Sequence, residues 1–133
     1  LCQLKKIEKF ICRRQELVKN YDKALSNMRY CRPAQNASRD YSSHHLYVIL
    51  IDFNKIGKSR SQFMKEFEGC GIGSQVHYIP VPIHPFYRKL GFKLENYPNA
   101  QEYYKEALSI PLYYGLSDPE QQQVINSLKK LLG

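Results

Sequence analysis

Between Val76 and Arg88 the chain gathers two imidazoles (His77, His84), two phenols (Tyr78, Tyr87) and one guanidinium (Arg88) around Pro80, Pro82 and Pro85. Prolines stiffen a loop and so lower the entropy cost of holding polar groups toward a ligand. The segment is therefore a candidate binding site. It is not a metal site by spacing: His77-x6-His84 with a distant Cys70 lacks the short paired intervals of zinc ligands. Nucleophilic catalysis would need a base beside Cys70; His77 could meet it in space, but nothing local supports the pairing, so Cys70 reads first as a buried thiol.

Other chemically suggestive patterns resolve into structure. Gly69-x-Gly71-x-Gly73 follows a helix and leads into a strand, whereas dinucleotide loops run from strand to helix; these glycines read as a helix stop and a turn. The tyrosines at 78, 87, 97, 103, 104, 113 and 114 could stack nucleobases, but their spacing also suits core and rim packing. Residues 1–32 carry nine basic side chains against Glu8, Glu16 and Asp22. Such a stripe can meet phosphate, yet on a helix it reads first as a solvated face.

These groups need elements to hold them. Leu1, Leu4, Ile7, Phe10, Ile11, Leu17, Val18, Tyr21, Ala24, Leu25 and Met28 recur at three- and four-residue steps, which predicts one amphipathic helix to about Arg29, ended before Pro33. Residues 33–45 read as loop and residues 46–53 as a strand buried on both faces. Ser59-Arg60-Ser61-Gln62 has capping-box form and opens a helix with Phe63, Met64 and Phe67 inward. A second strand is predicted over Gln75–Ile79. Tyr97-Pro98 starts a helix with Ala100, Tyr103, Tyr104 and Ala107 inward, and Leu108–Leu112 is a third strand. Ser117-Asp118-Pro119-Glu120 caps a last helix that buries Val124, Ile125, Leu128, Leu131 and Leu132. The predicted order is α-β-α-β-α-β-α: an α+β domain with a small, mainly antiparallel three-stranded sheet and helices packed on it.

The length of 133 residues fits one such domain, and 20 Lys and Arg against 12 Asp and Glu leave a net charge of +8. No apolar run approaches the ~20 residues of a membrane span, and the N-terminal sequence predicts no secretory signal. Cys2, Cys12, Cys31 and Cys70 form no framework and predict reduced thiols in a cytoplasmic protein. A chain that opens on helical periodicity, without an initiator Met, is expected to be a piece of something longer.

Gly71-Ile72-Gly73-Ser74-Gln75-Val76-His77-Tyr78-Ile79-Pro80-Val81, followed by Pro85-Phe86-Tyr87-Arg88-Lys89-Leu90-Gly91, resembles the C-terminal domain of the DegT-type, PLP-dependent nucleotide-sugar aminotransferases. Further stretches agree in the same order: Gln3–Ile7 with Arg13-Arg14 and Tyr21, His45–Leu50, Ala107–Tyr113, and Leu116-Ser117 with Val124-Ile125. The resemblance covers essentially the whole chain. It implies the small domain of a fold-type-I aminotransferase, with residues 1–32 as the long linking helix and residues 33–133 as the small C-terminal domain. It implies amino transfer from glutamate to a UDP-4-keto-6-deoxy sugar, with PLP as the cofactor of the complete enzyme.

In the family the lysine that carries PLP lies on the large N-terminal domain. No lysine here falls in a matching motif, so no catalytic or cofactor-binding residue is assigned; Lys5, Lys6, Lys55 and Lys58 read as solvated surface. The resemblance makes His77, Tyr78, His84 and Arg88 the candidate substrate-binding residues, with Arg88 able to pair with diphosphate. Pro82 departs from the family pattern, where His or another polar residue is common. The expected partner is the missing large domain or a second copy of the chain, and Leu1, Leu4, Ile7 and Ile11 would be the apolar face left open. No membrane partner is expected. Two alternatives stand beside this reading: a basic nucleic-acid-binding module, and an interaction domain that docks on a separate PLP subunit.

Overall fold

The fold is built around one short strand, Tyr47–Ile51 (β2), whose β-branched and aromatic residues pair on both edges. The computed structural model describes residues 2–35 and 42–133. On one side β2 pairs antiparallel with Cys31–Pro33 (β1), Cys31 facing Ile51; on the other it pairs antiparallel with Ala107–Ile110 (β3), Tyr47 facing Ile110. The sheet order is β1-β2-β3.

Helices cover it. Ile7–Leu25 (α1), preceded by a 3-10 turn at Leu4–Lys6, sends Leu17, Val18, Tyr21 and Leu25 into the core. Arg60–Gly69 (α2) adds Phe63 and Phe67, and Asp118–Leu132 (α5) adds Val124, Ile125, Leu128 and Leu132. Between α2 and β3 lie Pro85–Lys89 (α3) and Pro98–Glu106 (α4), with 3-10 turns at Val81–Ile83 and Leu94–Asn96. None of these four elements buries a residue.

Both capping boxes form. The Ser59 hydroxyl accepts from the Gln62 amide while Gln62 Oε1 accepts from the Ser59 amide, and Ser117 and Glu120 do the same at α5. Two polar side chains of the core are paired: Gln121 Nε2 donates to the Leu17 carbonyl (2.7 Å) and the Tyr21 hydroxyl to the Pro111 carbonyl (2.9 Å).

The three-stranded antiparallel sheet is as expected, but one strand is not the expected one. Of the segment Gln75–Ile79 only Gln75 pairs, as a lone bridge to Ser109; the chain then leaves the sheet toward Pro80, where the backbone donor is missing. Its place is taken by β1, which lies beyond the predicted helix. That helix ends at Leu25 rather than Arg29, because Ser26 caps back on Asp22 and Lys23 and the chain turns at Tyr30 with φ of 58°. Pro33 fits because β1 is an edge strand. The order is therefore α-β-β-α-α-α-β-α.

Helix α4 also departs from its predicted face. Ala100 is exposed, Tyr103 is 38% exposed and Tyr104 is half-buried, while Ala107 is buried as the first residue of β3. The predicted inward positions of α5 hold, with Leu131 half-buried. Of the predicted loop at 33–45, residues 36–41 lie outside the described residues.

Candidate functional site

The candidate residues lie on one arm, rooted in the sheet at Gln75 and running to α4. Its root is a clamp on β3. The Gln75 amide donates to the Ser109 carbonyl (3.1 Å), and the Ser109 amide donates to the Gln75 carbonyl (2.7 Å). Two residues on, Nδ1 of His77 lies 2.7 Å from the Ser109 hydroxyl. Ser109 is itself buried in β3.

Beyond the clamp the arm turns outward. The rings of His77 and Tyr78 meet edge to face at 4.6 Å between centroids, and Tyr78 is 73% exposed. Nε2 of His84 lies 3.1 Å from the Ile79 carbonyl and so carries the proton in that bond, folding the proline segment back on itself. Pro85 occupies the first turn of α3, where no backbone donor is needed. Phe86, Tyr87 and Phe92 form a ladder of edge-on rings, 5.3 and 5.9 Å apart. Arg88, in the last turn of α3, is exposed and makes no side-chain hydrogen bond or ion pair among the described residues.

The structure thus brings His77 and Tyr78 into contact and joins His84 to the same turn, while Arg88 follows on the next helix, its amide bonded to the His84 carbonyl. The arrangement presents an imidazole, a phenol and a guanidinium on a surface rich in exposed apolar side chains, including Ile79, Val81, Phe86 and Leu90. Such a surface can bind and orient a polar ligand. Sequence reading overlooks Ser109; its only signal is a lone hydroxyl in the apolar run Ala107-Leu108-Ser109-Ile110.

The other chemically capable groups are engaged or inert. Burial pushes the Cys31 thiol up to about 12, which removes it as a nucleophile at neutral pH. Cys70, expected buried, is half-buried, and all four cysteines are free. Among the described residues no three His, Cys, Asp or Glu side chains converge as a metal site. Part of the basic charge of residues 1–32 is neutralised within the chain: Arg13 of α1 bonds Asp118 (2.7 Å), which holds its guanidinium charged, and Arg32 of β1 pairs with Glu106 (3.3 Å). No helix among the described residues is long and apolar enough to cross a membrane.

Sugar aminotransferases of known structure share this fold. The chain belongs to the DegT/DnrJ/EryC1/StrS aminotransferase family, which it matches over residues 1–129. It is 35% identical over 134 aligned positions to the spore coat polysaccharide biosynthesis protein SpsC of Bacillus subtilis, covering 99% of this chain and 34% of SpsC. It superposes on Spr1654 of Streptococcus pneumoniae in its PLP form with a TM-score of 0.87 at 31% identity, covering 98% of this chain and 33% of that one. With Helicobacter pylori PseC, an aminotransferase involved in the biosynthesis of pseudoaminic acid, the TM-score is 0.89 at 27% identity, covering 99% and 35%. The chain spans about a third of the length of these relatives.

PLP does not fit the residues present here. A PLP enzyme of this kind needs a lysine held in a cleft to bind the cofactor. Every lysine is exposed except Lys58, which was expected at the solvated surface and is instead half-buried against Glu66 (2.6 Å) and the Leu131 carbonyl (3.4 Å).

Proposed function

We propose that this chain is the C-terminal domain of a PLP-dependent aminotransferase that moves an amino group from glutamate to C4 of a UDP-4-keto-6-deoxy sugar, in the cytoplasm, for surface-glycan or nonulosonic acid biosynthesis. The observation that carries the reading is the family match over residues 1–129, within a chain that spans only a third of its relatives. Among individual members the motifs favour UDP-4-amino-4,6-dideoxy-N-acetyl-β-L-altrosamine transaminase. PLP belongs to the complete enzyme and the isolated chain is inactive, because the lysine and the carboxylate that hold the cofactor come from the large domain.

In this reading residues 1–32 link the two domains and residues 33–133 form the small one. His77, Tyr78, His84 and Arg88 line one wall of the substrate cleft. Arg88 faces the diphosphate, where a guanidinium makes paired charge-assisted hydrogen bonds. The apolar side chains of the arm, with exposed Leu4 in the turn before α1 and Ile7 at its start, meet the large domain or a second subunit.

The test is a chimera in which this chain replaces the C-terminal third of a PLP-binding family member. The expected result is glutamate-dependent amination of a UDP-4-keto-6-deoxy sugar. A chimera that folds and binds PLP but aminates no nucleotide sugar would sink the proposal.

A further inference from the structure

We infer that Ser109 is a positioning residue that fixes His77 in the Nε2–H tautomer, so that this histidine meets its ligand as a hydrogen-bond donor, toward an acceptor oxygen, and not as a base. The inference deepens the proposed role of the arm, and rests on that reading only for what His77 faces.

The argument begins with the hydroxyl. Ser109 is buried in β3, its backbone amide and carbonyl are both spent on Gln75, and its Oγ has His77 Nδ1 as its one hydrogen-bond neighbour among the described residues. Val48, its partner across the sheet, offers the hydroxyl nothing. A hydroxyl carries one proton to donate. If Ser109 donates to Nδ1, both atoms are satisfied. If Nδ1 carried the proton and donated to Oγ, the hydroxyl proton would be left buried without an acceptor, which is unfavourable. The first arrangement prevails, and in a neutral imidazole it puts the remaining proton on Nε2.

Nε2 is the end that is free to act. Among the described residues it has no hydrogen-bond partner, and the only buried side-chain nitrogen or oxygen there without one is Nε of Arg14, so Nε2 of His77 reaches solvent. The ring is held at Nδ1 by Ser109 and flanked by Tyr78, which leaves Nε2–H as a pre-oriented donor. The same strand residue therefore both roots the arm through its backbone and sets the chemical character of the first candidate side chain on it.

Long-range proton–nitrogen NMR of the histidine-labelled chain tests this, at about pH 8.5, above the ordinary imidazole value of about 6.5. His77→Gln identifies the His77 signals by their loss. The expected spectrum shows Nε2 bearing the proton and Nδ1 as a hydrogen-bonded acceptor. Ser109→Thr keeps that pattern. Ser109→Ala loses the hydrogen-bond shift at Nδ1 while its amide spectrum stays that of the folded domain. A proton on Nδ1 in the unmodified chain overturns the inference without any variant, as does an unchanged His77 spectrum in folded Ser109→Ala. Either failure leaves the aminotransferase reading standing, since the chimera tests that separately.

Discussion

Two regions of this molecule are built by opposite rules. Residues 81–106 contain no buried side chain, and Phe86 is 66% exposed. In contrast Leu17, Tyr21, Ile49, Phe63, Phe67, Leu108 and Leu128 are wholly buried in one cluster contributed by α1, α2, α5 and the sheet. The core repays its ordering entropy through apolar burial, whereas the arm spends comparable apolar side chains on solvent. The contrast teaches that the arm's residues are there for something they meet, while the core's residues are there for each other.

The sharpest way to break that comparison is to truncate one aromatic ring in each region. Phe67→Ala is expected to lose about 3–5 kcal/mol in urea unfolding, from the transfer of a buried ring and the cavity left behind. Phe86→Ala should stay within about 0.5 kcal/mol of the parent chain, as surface substitutions do. A Phe86 loss as large as that of Phe67 would mean the arm is packed in solution.

A second, smaller loss tests whether α1 is welded to α5. Gln121→Ala removes the donor to the Leu17 carbonyl and the acceptor for Asn20. It is expected to destabilise by about 1–3 kcal/mol because two side-chain hydrogen bonds between α1 and α5, each worth about 0.5–1.5 kcal/mol, are lost together. Thermal unfolding with no shift would show that the contact contributes nothing.

Smaller again is Ser117→Ala, which removes the cap of α5 and should cost about 1 kcal/mol. Its partner Glu120 has a carboxyl held below the usual range by the Ser117 hydroxyl and amide. A depressed folded-state value means this contribution is present above the ordinary carboxylate range and fades as pH falls through the lowered value. Glu120→Gln keeps the box but should flatten that part of the acid-unfolding profile; an unchanged profile counts against the assignment.

The exposed apolar groups make a prediction with no stability cost. Leu4→Lys with Ile7→Lys should reduce self-association in sedimentation velocity and leave the melting temperature within the range of surface changes. Equal association before and after would place the contact surface elsewhere.

How much of this the amino-acid sequence discloses depends on the range of the interactions. The capping boxes at Ser59 and Ser117, the apolar run of β2 and the face of α5 are local patterns, and each is read correctly. Strand β1 is only three residues long and owes its existence to β2, so no local pattern announces it. The pattern at Gln75–Ile79 alternates like a strand, but only Gln75 finds a partner. For the candidate site, the grouping of His77, Tyr78, His84 and Arg88 follows from their closeness in the chain. The Ser109–His77 contact spans 32 positions and depends on the register of β3, which no periodicity encodes. Tyr103 of α4 looks inward by helical spacing yet stays 38% exposed and outside the core cluster, which other elements fill.

The central claim, that this is one domain of an aminotransferase whose cofactor lysine lies elsewhere, is tested most directly by trapping. The purified chain is incubated with PLP, glutamate and a UDP-4-keto-6-deoxy sugar, reduced with borohydride and mapped by peptide analysis. The account predicts no stoichiometrically labelled lysine and no amino sugar. One fully labelled lysine together with amino-sugar formation would contradict it and show a self-sufficient enzyme.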